Sequence, residues 1–546
     1  MQNKDKFTYI KPRIKILTAI LAIVLLSLTA LGYGKIVSKN IEQSLTVLHT
    51  NDIHGHLEPF NYKNFDEKVG GAARLAGLIN RIKSSNPNVL TLDAGDFAQG
   101  TLYFKIFNGK PGVEVLSASG YDAVEIGNHE FDKGLDTLET MISSPEAQST
   151  GVQSTEVQFL CANLRFTKKP GLNNKIKPYI IKNYNGLRVG VIGVITPNLK
   201  ALTNNLENVE ILDPTAVVKK ITEEIDPKTD LIIVLSHCGH DFDRDIAKSV
   251  KGIDVIIGGH SHTFMKKPDV VYNGHEHVIV VQDGEFGVNL GRLDLKIKDD
   301  EIKSFNYKPV LLTAKISKDK NVDLIVDNYS KKLQIYDKKI IGVVSNEIVA
   351  TRRELYCSFT TGGSLLTNAI KSKFKDIDVV LQNSGTIRTN RVLPAGNISM
   401  ADVMELYPFE NKIIIAEING KTLKNILNYS AKELPEGDGK FLQSNGLEYT
   451  VKLGYKRNTV TKIKVNGAPL DENKYYKVAV NDFMFNGGDG YKYFKYAKSS
   501  VNTGIYLDEA VMDYIKSNTP LWIKITDKIH LIKSSPIKSS SINNMR

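Results

Sequence analysis

Five short apolar runs in the first half of this chain are each followed directly by residues that can bind a metal ion. Residues 72–82 and 135–142, which lie between runs, have the 3- and 4-residue apolar spacing of helices. The apolar runs suit strands that are covered on both faces. They are residues 45–48, 89–92, 123–126, 231–235 and 255–257. Because α/β sheets bind ligands at the carboxyl ends of their strands, we expect the polar segments to meet at one site.

The side chains after these runs are oxygen and nitrogen donors of the kind that bind Zn, Mn, Fe or Co. Asp52 and His54 are two residues apart, so on an extended segment both side chains face the same way. His260 and His262 repeat this spacing. Asp96 is the best candidate for a carboxylate shared by two cations. Two cations about 3.5–4 Å apart bridge a water, lower its pKa and stabilise an in-line displacement, so the pattern predicts phosphate-ester chemistry.

The amino end has the layout of an export signal. Residues 16–31 carry no charge and follow the basic residues Lys11, Arg13 and Lys15. A basic segment, an apolar segment and small residues after it are typical of secretory signals, although the apolar stretch is also close to the minimum length of a membrane span. Residues 1–40 are therefore predicted to be a cleaved signal peptide or an uncleaved anchor, with the remaining chain extracellular or at the cell surface.

Charge and cysteine content exclude several other classes of protein. Much of the net charge of +11 lies at the two ends, and no basic stretch has regularly interleaved aromatic residues. We therefore expect no nucleic-acid polymer as a partner. The three cysteines form no C-x-x-C pair, which argues against a zinc ribbon or a thioredoxin-like site. The polar residues 531–546 are predicted to be a disordered tail.

Together, these segments resemble the calcineurin-like metallophosphoesterases and, more closely, the 5′-nucleotidase/UDP-sugar hydrolase family. A second set of matching segments lies far downstream, so the resemblance covers residues 45–530. The segments of the first half are TNDIHGHLEP (50–59), DAGDFAQG (93–100), GNHEFD (127–132), SHCGHD (236–241) and GGHSH (258–262). Those of the second half are NSGTIR (383–388), PF (408–409) and NDFMFNGGDGY (481–491).

The resemblance implies a mixed α/β fold with two domains. Residues 45–315 would form a four-layer α/β/β/α metallophosphoesterase sandwich, and residues 341–530 a C-terminal α+β nucleotide-binding domain that sets substrate specificity. Residues 316–340 are rich in charge but have apolar residues at helical spacing, which predicts a linker helix that separates two cores. In the second domain, the residue pattern predicts strands at 379–381, 413–418 and 477–480 and a helix at 364–374.

By the same resemblance, the seven donor residues would hold two divalent metal ions (Mn, Zn, Co or Fe). One ion would be bound by Asp52, His54 and His262, the other by Asn128, His237 and His260, and Asp96 would bridge them. His129 and Asp132 match the catalytic dyad of the family. The carboxylate would favour a charged imidazole that stabilises the phosphoryl group or protonates the leaving oxygen. Taken alone, Asp132 could instead be a helix N-cap.

The resemblance also assigns six substrate-binding residues in the second half. They are Arg352, Asn383, Arg388, Phe409, Phe483 and Asp489. The two phenylalanines would sandwich the nucleobase, although core packing is the alternative for each of them. Asp489 would contact the ribose, Asn383 the base and Arg388 the phosphate.

One segment departs from the family pattern. Family members usually carry two arginines before a Gly-Asn-Leu or Gly-Asp-Leu motif. By its distance from Gly363, Arg352 fits the first of these positions, whereas Tyr356 or Ser358 occupies the second. The phosphate clamp is therefore expected to be weaker than usual.

These observations predict an exported or surface-anchored hydrolase that removes the phosphate from nucleotides, with a metal-bridging hydroxide as the nucleophile. Two alternatives use the same scaffold with other substrates: a 2′,3′-cyclic-nucleotide phosphodiesterase and a UDP-sugar hydrolase. A third alternative is a surface binding protein that has kept the fold without catalysis. The third is disfavoured because every ligand position and the His129–Asp132 pair hold competent residues.

Overall fold

The structure is a computed structural model of the 546-residue chain. It describes residues 42–533 except 63–64, 144–156, 204–205, 207, 275 and 456. The predicted export segment, residues 1–40, lies outside the described residues. None of the described helices is both long enough and apolar enough to span a membrane.

Two β-sheets face each other in the first half of the chain. Their strands are β1 Gln43–Thr50, β2 Val89–Asp93, β3 Ala123–Glu125, β4 Gln158–Leu160, β5 Leu164–Phe166, β6 Ile176–Lys177, β7 Tyr179–Tyr184, β8 Leu187–Ile195, β9 Val209–Ile211, β10 Leu231–His237, β11 Val255–Gly258, β12 Asp269–Asn273, β13 Glu276–Val281, β14 Asn289–Lys298, β15 Glu301–Tyr307 and β16 Val310–Leu311. The first sheet has the order β15-β14-β1-β2-β3-β4-β6 with β16 beside β14, and the second has the order β12-β13-β11-β10-β8-β7, while β5 pairs with β9. Strands β1 to β4 are parallel to one another, as are β8, β10, β11 and β13.

Helices cover the outer face of each sheet. They are α1 Ala72–Ser85, α2 Leu102–Phe107, α3 Lys110–Ala118, α4 Gly134–Ile142, α5 Pro170–Lys175, α6 Leu199–Leu202, α7 Pro214–Ile225 and α8 His240–Ser249, with 3₁₀ turns at His129–Phe131 and Asp226–Lys228. One apolar core lies between the sheets and includes Val47, Leu92 and Ile233. Two further cores lie beneath the helices on either side. The predicted four-layer α/β/β/α arrangement is therefore confirmed.

The second half has the predicted α+β composition. Its strands are β17 Ile340–Val344, β18 Ile348–Val349, β19 Val379–Asn383, β20 Val392–Leu393, β21 Gly396–Ser399, β22 Lys412–Asn419, β23 Leu442–Asn445, β24 Leu447–Leu453, β25 Thr459–Val465, β26 Ala468–Pro469, β27 Tyr475–Asn481, β28 Ser499–Tyr506 and β29 Lys528–Lys533. Its main sheets have the orders β23-β19-β27-β22-β28 and β26-β25-β24-β29, and β17 pairs with β21 and β18 with β20.

The helices of the second half begin with the predicted linker. They are α9 Lys320–Asp337, α10 Arg352–Leu355, α11 Thr361–Lys373, α12 Met400–Leu406, α13 Gly420–Ser430, α14 Asp482–Phe485 and α15 Leu507–Ser517, with 3₁₀ turns at Ser384–Thr386, Gly488–Gly490 and Lys492–Tyr496. Asp319 caps α9 by accepting the backbone N–H groups of Asn321 and Val322. The helix therefore exists within the range predicted for it, residues 316–340.

Two details of the sequence-based expectation are wrong. Helix α9 does not separate two cores, because its buried Val322 and Val326 share one apolar cluster with Ala76 of α1 and with Ile341 of β17. An apolar stripe along a connecting helix buries itself against whichever surfaces it meets, and here it meets both domains. In addition, residues 531–533 are not part of a tail, since they extend β29, which pairs in parallel with β24. Residues 534–546 lie outside the described residues.

Candidate active site

The seven predicted metal ligands meet where the carboxyl ends of the two sheets face each other. The loops after β1, β2 and β3 supply Asp52, His54, Asp96 and Asn128. From the second sheet, His237 ends β10, and His260 and His262 follow β11. Parallel strands bring their carboxyl ends to one edge of a sheet, which explains why residues more than 200 positions apart lie together.

Asp52, His54 and His262 form the first donor cluster. Their candidate ligand atoms all lie within 4.8 Å of one another. His54 Nε2 is 3.2 Å from His262 Nε2, and His262 Nε2 is 3.4 Å from Asp52 Oδ1. Asp52 and His54 are almost completely buried. The arrangement offers two nitrogens and a carboxylate oxygen to a single point.

Asp96, His237 and His260 form the second donor cluster, which satisfies the same 4.8 Å criterion. His237 Nε2 is 3.1 Å from Asp96 Oδ2 and 3.2 Å from Asn128 Oδ1. Asp96 Oδ2 also lies 3.9 Å from His54 Nε2 of the first cluster. Asp96 therefore stands between the two clusters, in the position expected of a shared ligand.

The protonation of the imidazoles fits a bound cation. His54 Nδ1 lies 3.2 Å from the carbonyl oxygen of Gln99, and His262 Nδ1 lies 2.5 Å from Glu285 Oε2. Because both neighbours accept hydrogen bonds, each Nδ1 carries the proton and each Nε2 is left with a lone pair. The 3.2 Å separation of the two Nε2 atoms suits a cation bound by both nitrogens or a proton carried by one of them. His237 Nδ1 likewise lies close to an acceptor, 2.6 Å from the carbonyl oxygen of Ala94.

The backbone at the ligands differs from the sequence-based expectation. The paired ligands do not lie on extended segments, since five of the seven ligands have positive φ angles between 49° and 72°. They are Asp52, His54, Asp96, His260 and His262. Non-glycine residues rarely adopt this conformation, and strained backbone of this kind clusters at functional sites. The close packing extends to Gly127, where a Cβ atom would lie 2.2 Å from Asp96 Oδ1.

The charges of the cluster are strongly coupled. Burial lowers the pKa of His237, but the carboxylates of Asp96 and Asp52 outweigh it and raise that pKa to about 10. Burial opposes ionisation of Asp96, yet the imidazoles of His237 and His129 hold the pKa of this carboxyl well below its usual range. Burial and the neighbouring His237 lower the pKa of His260 to about 3. Asp96 is therefore an anion, which is the state that binds metal.

The predicted dyad lies beside these clusters. His129 Nδ1 is 2.8 Å from Asp132 Oδ2, and the 3₁₀ turn His129–Phe131 sets the three-residue spacing. Burial lowers the pKa of His129, but Asp132 and Asp96 raise it above its ordinary value overall. The backbone N–H of His129 also donates to Asp96 Oδ1 at 2.9 Å. Asp132 does not cap a helix, because α4 begins at Gly134 with Lys133 at its N-cap position.

One cavity of about 540 Å³ joins the clusters to the second domain. From the first domain it is lined by Asp96, Asn128, His129, Asp132, His260 and His262. From the second domain it is lined by Asn383, Arg388, Phe409, Phe483 and Asp489. Asn383 Nδ2 donates to Asp489 Oδ2 at 2.7 Å, and the Arg388 guanidinium lies 5.5 Å from the centre of the Phe409 ring. Five of the six predicted substrate residues therefore face the predicted metal ligands.

Arg352 is the sixth, and it does not line the cavity. Its Nη1 donates to Glu285 Oε2 at 2.6 Å, and its guanidinium lies 5.5 Å from the centre of the Phe286 ring. Tyr356 lines the cavity, whereas Ser358 donates to the backbone oxygen of Glu354. Of the two residues considered for the second arginine position, Tyr356 is therefore the one that faces the site.

Three residues at the site were missed by the sequence reasoning. Glu130 accepts the backbone N–H groups of Asp96, Ala98 and Gly127, and so ties the loop after β2 to the loop after β3. Gln99 is buried and lines the cavity, and neither atom of its side-chain amide has a hydrogen-bond partner among the described residues. Glu285 contacts His262. The sequence did contain a signal for Glu285, because this residue follows the apolar run of residues 278–281 just as the predicted ligands follow other apolar runs.

Comparison with known families accounts for both domains. Residues 45–264 match the calcineurin-like phosphoesterases, and residues 340–496 match the 5′-nucleotidase C-terminal domain. The chain is 30% identical to the trifunctional nucleotide phosphoesterase protein YfkN of Bacillus subtilis (strain 168), over 85% of this chain and 33% of that longer protein.

Two other relatives match over nearly their whole length. The chain is 30% identical to the snake venom 5′-nucleotidase of Naja atra, over 86% of this chain and 96% of that protein. It superposes on the crystal structure of the 5′-nucleotidase precursor from Thermus thermophilus with a TM-score of 0.81 and 30% identity, over 90% of this chain and 100% of that chain. The chain therefore belongs to the 5′-nucleotidase family of calcineurin-like metallophosphoesterases, which are metal-dependent phosphoric ester hydrolases.

Proposed function

We propose that this chain removes the phosphate group from 5′-nucleotides with the help of two divalent metal ions. The observation that carries the proposal is the composition of the cavity. It is lined by candidate ligands and by the His129–Asp132 pair on one side, and by Phe409 and Phe483 on the other. A site that combines metal donors with aromatic rings suits a substrate that has both a phosphate and a flat base.

In this proposal, each donor residue keeps the role that the family resemblance implies. Asp52, His54 and His262 would hold one ion, Asn128, His237 and His260 would hold the other, and Asp96 would be shared. Bound divalent ions would supply positive charge to the phosphoryl oxygens and activate the attacking water.

The remaining residues orient the substrate, stabilise its charge or supply a proton to the leaving oxygen. His129, held by Asp132 at 2.8 Å, stabilises the phosphoryl charge or protonates the leaving oxygen. Arg388 binds the phosphate, Asn383 the base and Asp489 the ribose. Phe409 and Phe483 stack on the two faces of the base. Arg352, which does not line the cavity, is paired with Glu285 and is given no direct contact with the substrate.

The test is phosphate release from AMP after chelation, with Mn²⁺, Zn²⁺, Co²⁺ or Fe²⁺ added back one at a time. At least one of these ions is expected to restore turnover. The substitution Asp96→Asn is expected to abolish the metal-dependent turnover. Asp245→Asn, which changes an exposed aspartate on α8, is the matched control. Full turnover without metal, or by Asp96→Asn, would contradict the proposal.

A second candidate substrate, a 2′,3′-cyclic nucleotide, is favoured by the charge of the cavity. Tyr356 replaces the usual second arginine, and Arg352 is already paired with Glu285. A cyclic phosphodiester carries one negative charge, whereas a monoester carries about 1.5 to 2 at pH 7 and needs more cations around it. A panel of AMP, 2′,3′-cyclic AMP and UDP-glucose separates the candidates.

A substitution at position 356 tests this charge argument. Tyr356→Arg is expected to raise kcat/KM for AMP relative to the cyclic nucleotide, because it adds the missing cation. Ser358→Arg is the matched control, since the Ser358 hydroxyl is hydrogen-bonded to the backbone oxygen of Glu354 instead of lining the cavity. An unchanged ratio in Tyr356→Arg would show that this position does not select the substrate.

We also propose that residues 1–40 direct export and that residues 45–315 and 341–530 are the two domains joined by α9. The basic-then-apolar layout of residues 11–31 supports export, and so does the similarity to a snake venom protein. The mass of the protein recovered from the medium and from the membrane distinguishes a cleaved signal from an uncleaved anchor. Recovery from the cytoplasm alone would contradict export.

A further inference from the structure

The loop after β13 forms part of the wall around the first donor cluster. Asn51 Nδ2 donates to the backbone oxygen of Gly284 at 2.6 Å, and the backbone N–H of Asp283 donates to Asn51 Oδ1 at 3.1 Å. The backbone N–H of Phe286 donates to the backbone oxygen of Asp52 at 2.7 Å. Three hydrogen bonds therefore fix residues 283–286 to the segment that carries Asp52.

The side chain of Glu285, in this loop, contacts the first donor cluster through His262, and Glu285 is only 6% exposed. Its Oε2 lies 2.5 Å from His262 Nδ1 and accepts a hydrogen bond of 2.6 Å from Arg352 Nη1. Its Oε1 accepts a hydrogen bond of 3.0 Å from the hydroxyl of Tyr62. One buried carboxylate thus contacts a candidate metal ligand of the first domain and a predicted substrate residue of the second.

Each contact constrains its partner. An imidazole that donates Nδ1–H to a carboxylate is held in one tautomer and one orientation, with Nε2 free to bind metal. The Arg352 side chain is held between the same carboxylate and the ring of Phe286, while its backbone N–H donates to Asn390 Oδ1 at 2.9 Å. His262 Nδ1 and Arg352 Nη1 therefore contact the same oxygen atom, Glu285 Oε2.

We propose that Glu285 is a positioning residue that orients His262 for metal binding and holds Arg352 against it across the domain boundary. The inference rests on the proposed function, because it takes His262 to be a metal ligand. It assigns to Glu285 no contact with the reacting phosphate. It predicts that loss of the carboxylate weakens one of the two metal sites and leaves the other largely intact.

A second ion pair between the domains provides the matched control. Lys105 Nζ lies 2.6 Å from Asp508 Oδ2, and both side chains are only 9% exposed. Neither residue lines the cavity or contacts a candidate metal ligand in the described structure. Asp508→Asn therefore removes a buried charge from the interface without changing the surroundings of His262.

In the experiment, metal is first removed from the full-length protein with a chelator, and the protein is then titrated with Mn²⁺. Calorimetry measures the affinities, and electron paramagnetic resonance detects the signal of coupled manganese pairs. Wild type is expected to bind two ions. Glu285→Gln is expected to bind one of them about 10- to 100-fold more weakly, with loss of the coupled signal. Asp508→Asn is expected to keep both affinities.

A double-mutant cycle tests whether Glu285 acts through His262. In a His262→Ala background, Glu285→Gln is expected to cause no further loss of Mn²⁺ affinity, because the imidazole that it orients is gone. If Glu285→Gln does not fold, Glu285→Asp replaces it, since the shorter carboxylate keeps the charge but cannot reach both partners. Circular dichroism of the metal-free proteins checks the fold.

The outcomes separate this inference from the proposed function. If wild type binds two Mn²⁺ ions and hydrolyses AMP but Glu285→Gln keeps both affinities, the positioning role is wrong and the proposed function stands. Equal losses of affinity in Glu285→Gln and Asp508→Asn, or additive losses in the double-mutant cycle, would also overturn the positioning role. If wild type binds no divalent ion, both proposals are wrong.

Discussion

The two sides of the cavity are built in different ways. The side formed by the first domain, here called the metal side, carries the candidate metal ligands. Asp52, His54 and His237 are at most 1% exposed there, and the surrounding loops are fixed by backbone hydrogen bonds. The side formed by the second domain, here called the substrate side, carries Phe409 and Phe483, which are only partly buried. Behind them, Asn383 accepts hydrogen bonds at Oδ1 from Asn481 and Thr386 and donates from Nδ2 to Asp489.

Under the proposed function, this difference follows from what each side would bind. Cations need several donors at fixed distances, which would explain the strained backbone and buried charge of the first domain. A nucleobase presents a broad flat face, and stacking tolerates small shifts of the ring. The metal side is therefore expected to control kcat, and the substrate side to control KM.

The largest effect is expected for His129→Ala. Loss of a group that stabilises phosphoryl charge or donates a proton lowers kcat by about 10²- to 10⁴-fold, while KM for AMP changes little. Steady-state kinetics with saturating metal measures both constants. His240→Ala is the control, because His240 begins α8, does not line the cavity and contacts Asp269. If His129→Ala raised KM and left kcat unchanged, the metal side would control KM instead of kcat, contrary to the expectation.

A smaller effect, on KM, is expected for Phe483→Ala. Loss of one stacking ring costs about 1–3 kcal/mol per base, which corresponds to a roughly 5- to 150-fold rise in KM for AMP. Hydrolysis of p-nitrophenyl phosphate, which has no base, is expected to change much less. Phe485→Ala is the matched control, because Phe485 lies on the same helix but packs against Phe494 instead of lining the cavity. Equal losses for both substrates would show that Phe483 supports the metal side.

The sequence predicted the metal side better than the substrate side. Strands that end in donor residues must converge if the strands are parallel, so the position of His237 or Asp96 follows from local pattern alone. The left-handed backbone at Asp52 and His54 could not be predicted, because two-residue spacing looks the same for an extended segment. Here the loops, not the strand ends, set the direction of the side chains.

What the sequence could not predict depends on contacts between the domains. Arg352 was expected at the phosphate, but the structure pairs it with Glu285, which lies 67 positions earlier in the chain. No local pattern reports which carboxylate will face an arginine across a domain boundary. The same holds for α9, whose apolar stripe was visible but whose burial against both domains was not.

The effect expected on stability, at most about 1.4 kcal/mol per pH unit, concerns a buried acid of the first domain. Asp243 is 1% exposed and accepts a hydrogen bond of 2.5 Å from Ser236 Oγ. Burial raises its pKa from 3.8 to about 8, although the Ser236 hydrogen bond opposes this. The folded protein therefore keeps a proton that the unfolded chain releases near pH 4. Stability from this group is fully present below pH 4 and is lost as the pH rises to about 8.

Asp243→Asn removes this titration and keeps the shape of the side chain. Between pH 5 and 8, the unfolding free energy of the metal-free variant is expected to fall less steeply than that of wild type, by up to about 1.4 kcal/mol per pH unit. Urea unfolding at pH 5, 6, 7 and 8 measures the two slopes. Asp245→Asn, an exposed change two residues along α8, is expected to leave the slope unchanged. Parallel slopes for Asp243→Asn and wild type would mean that this acid is ionised in the folded protein.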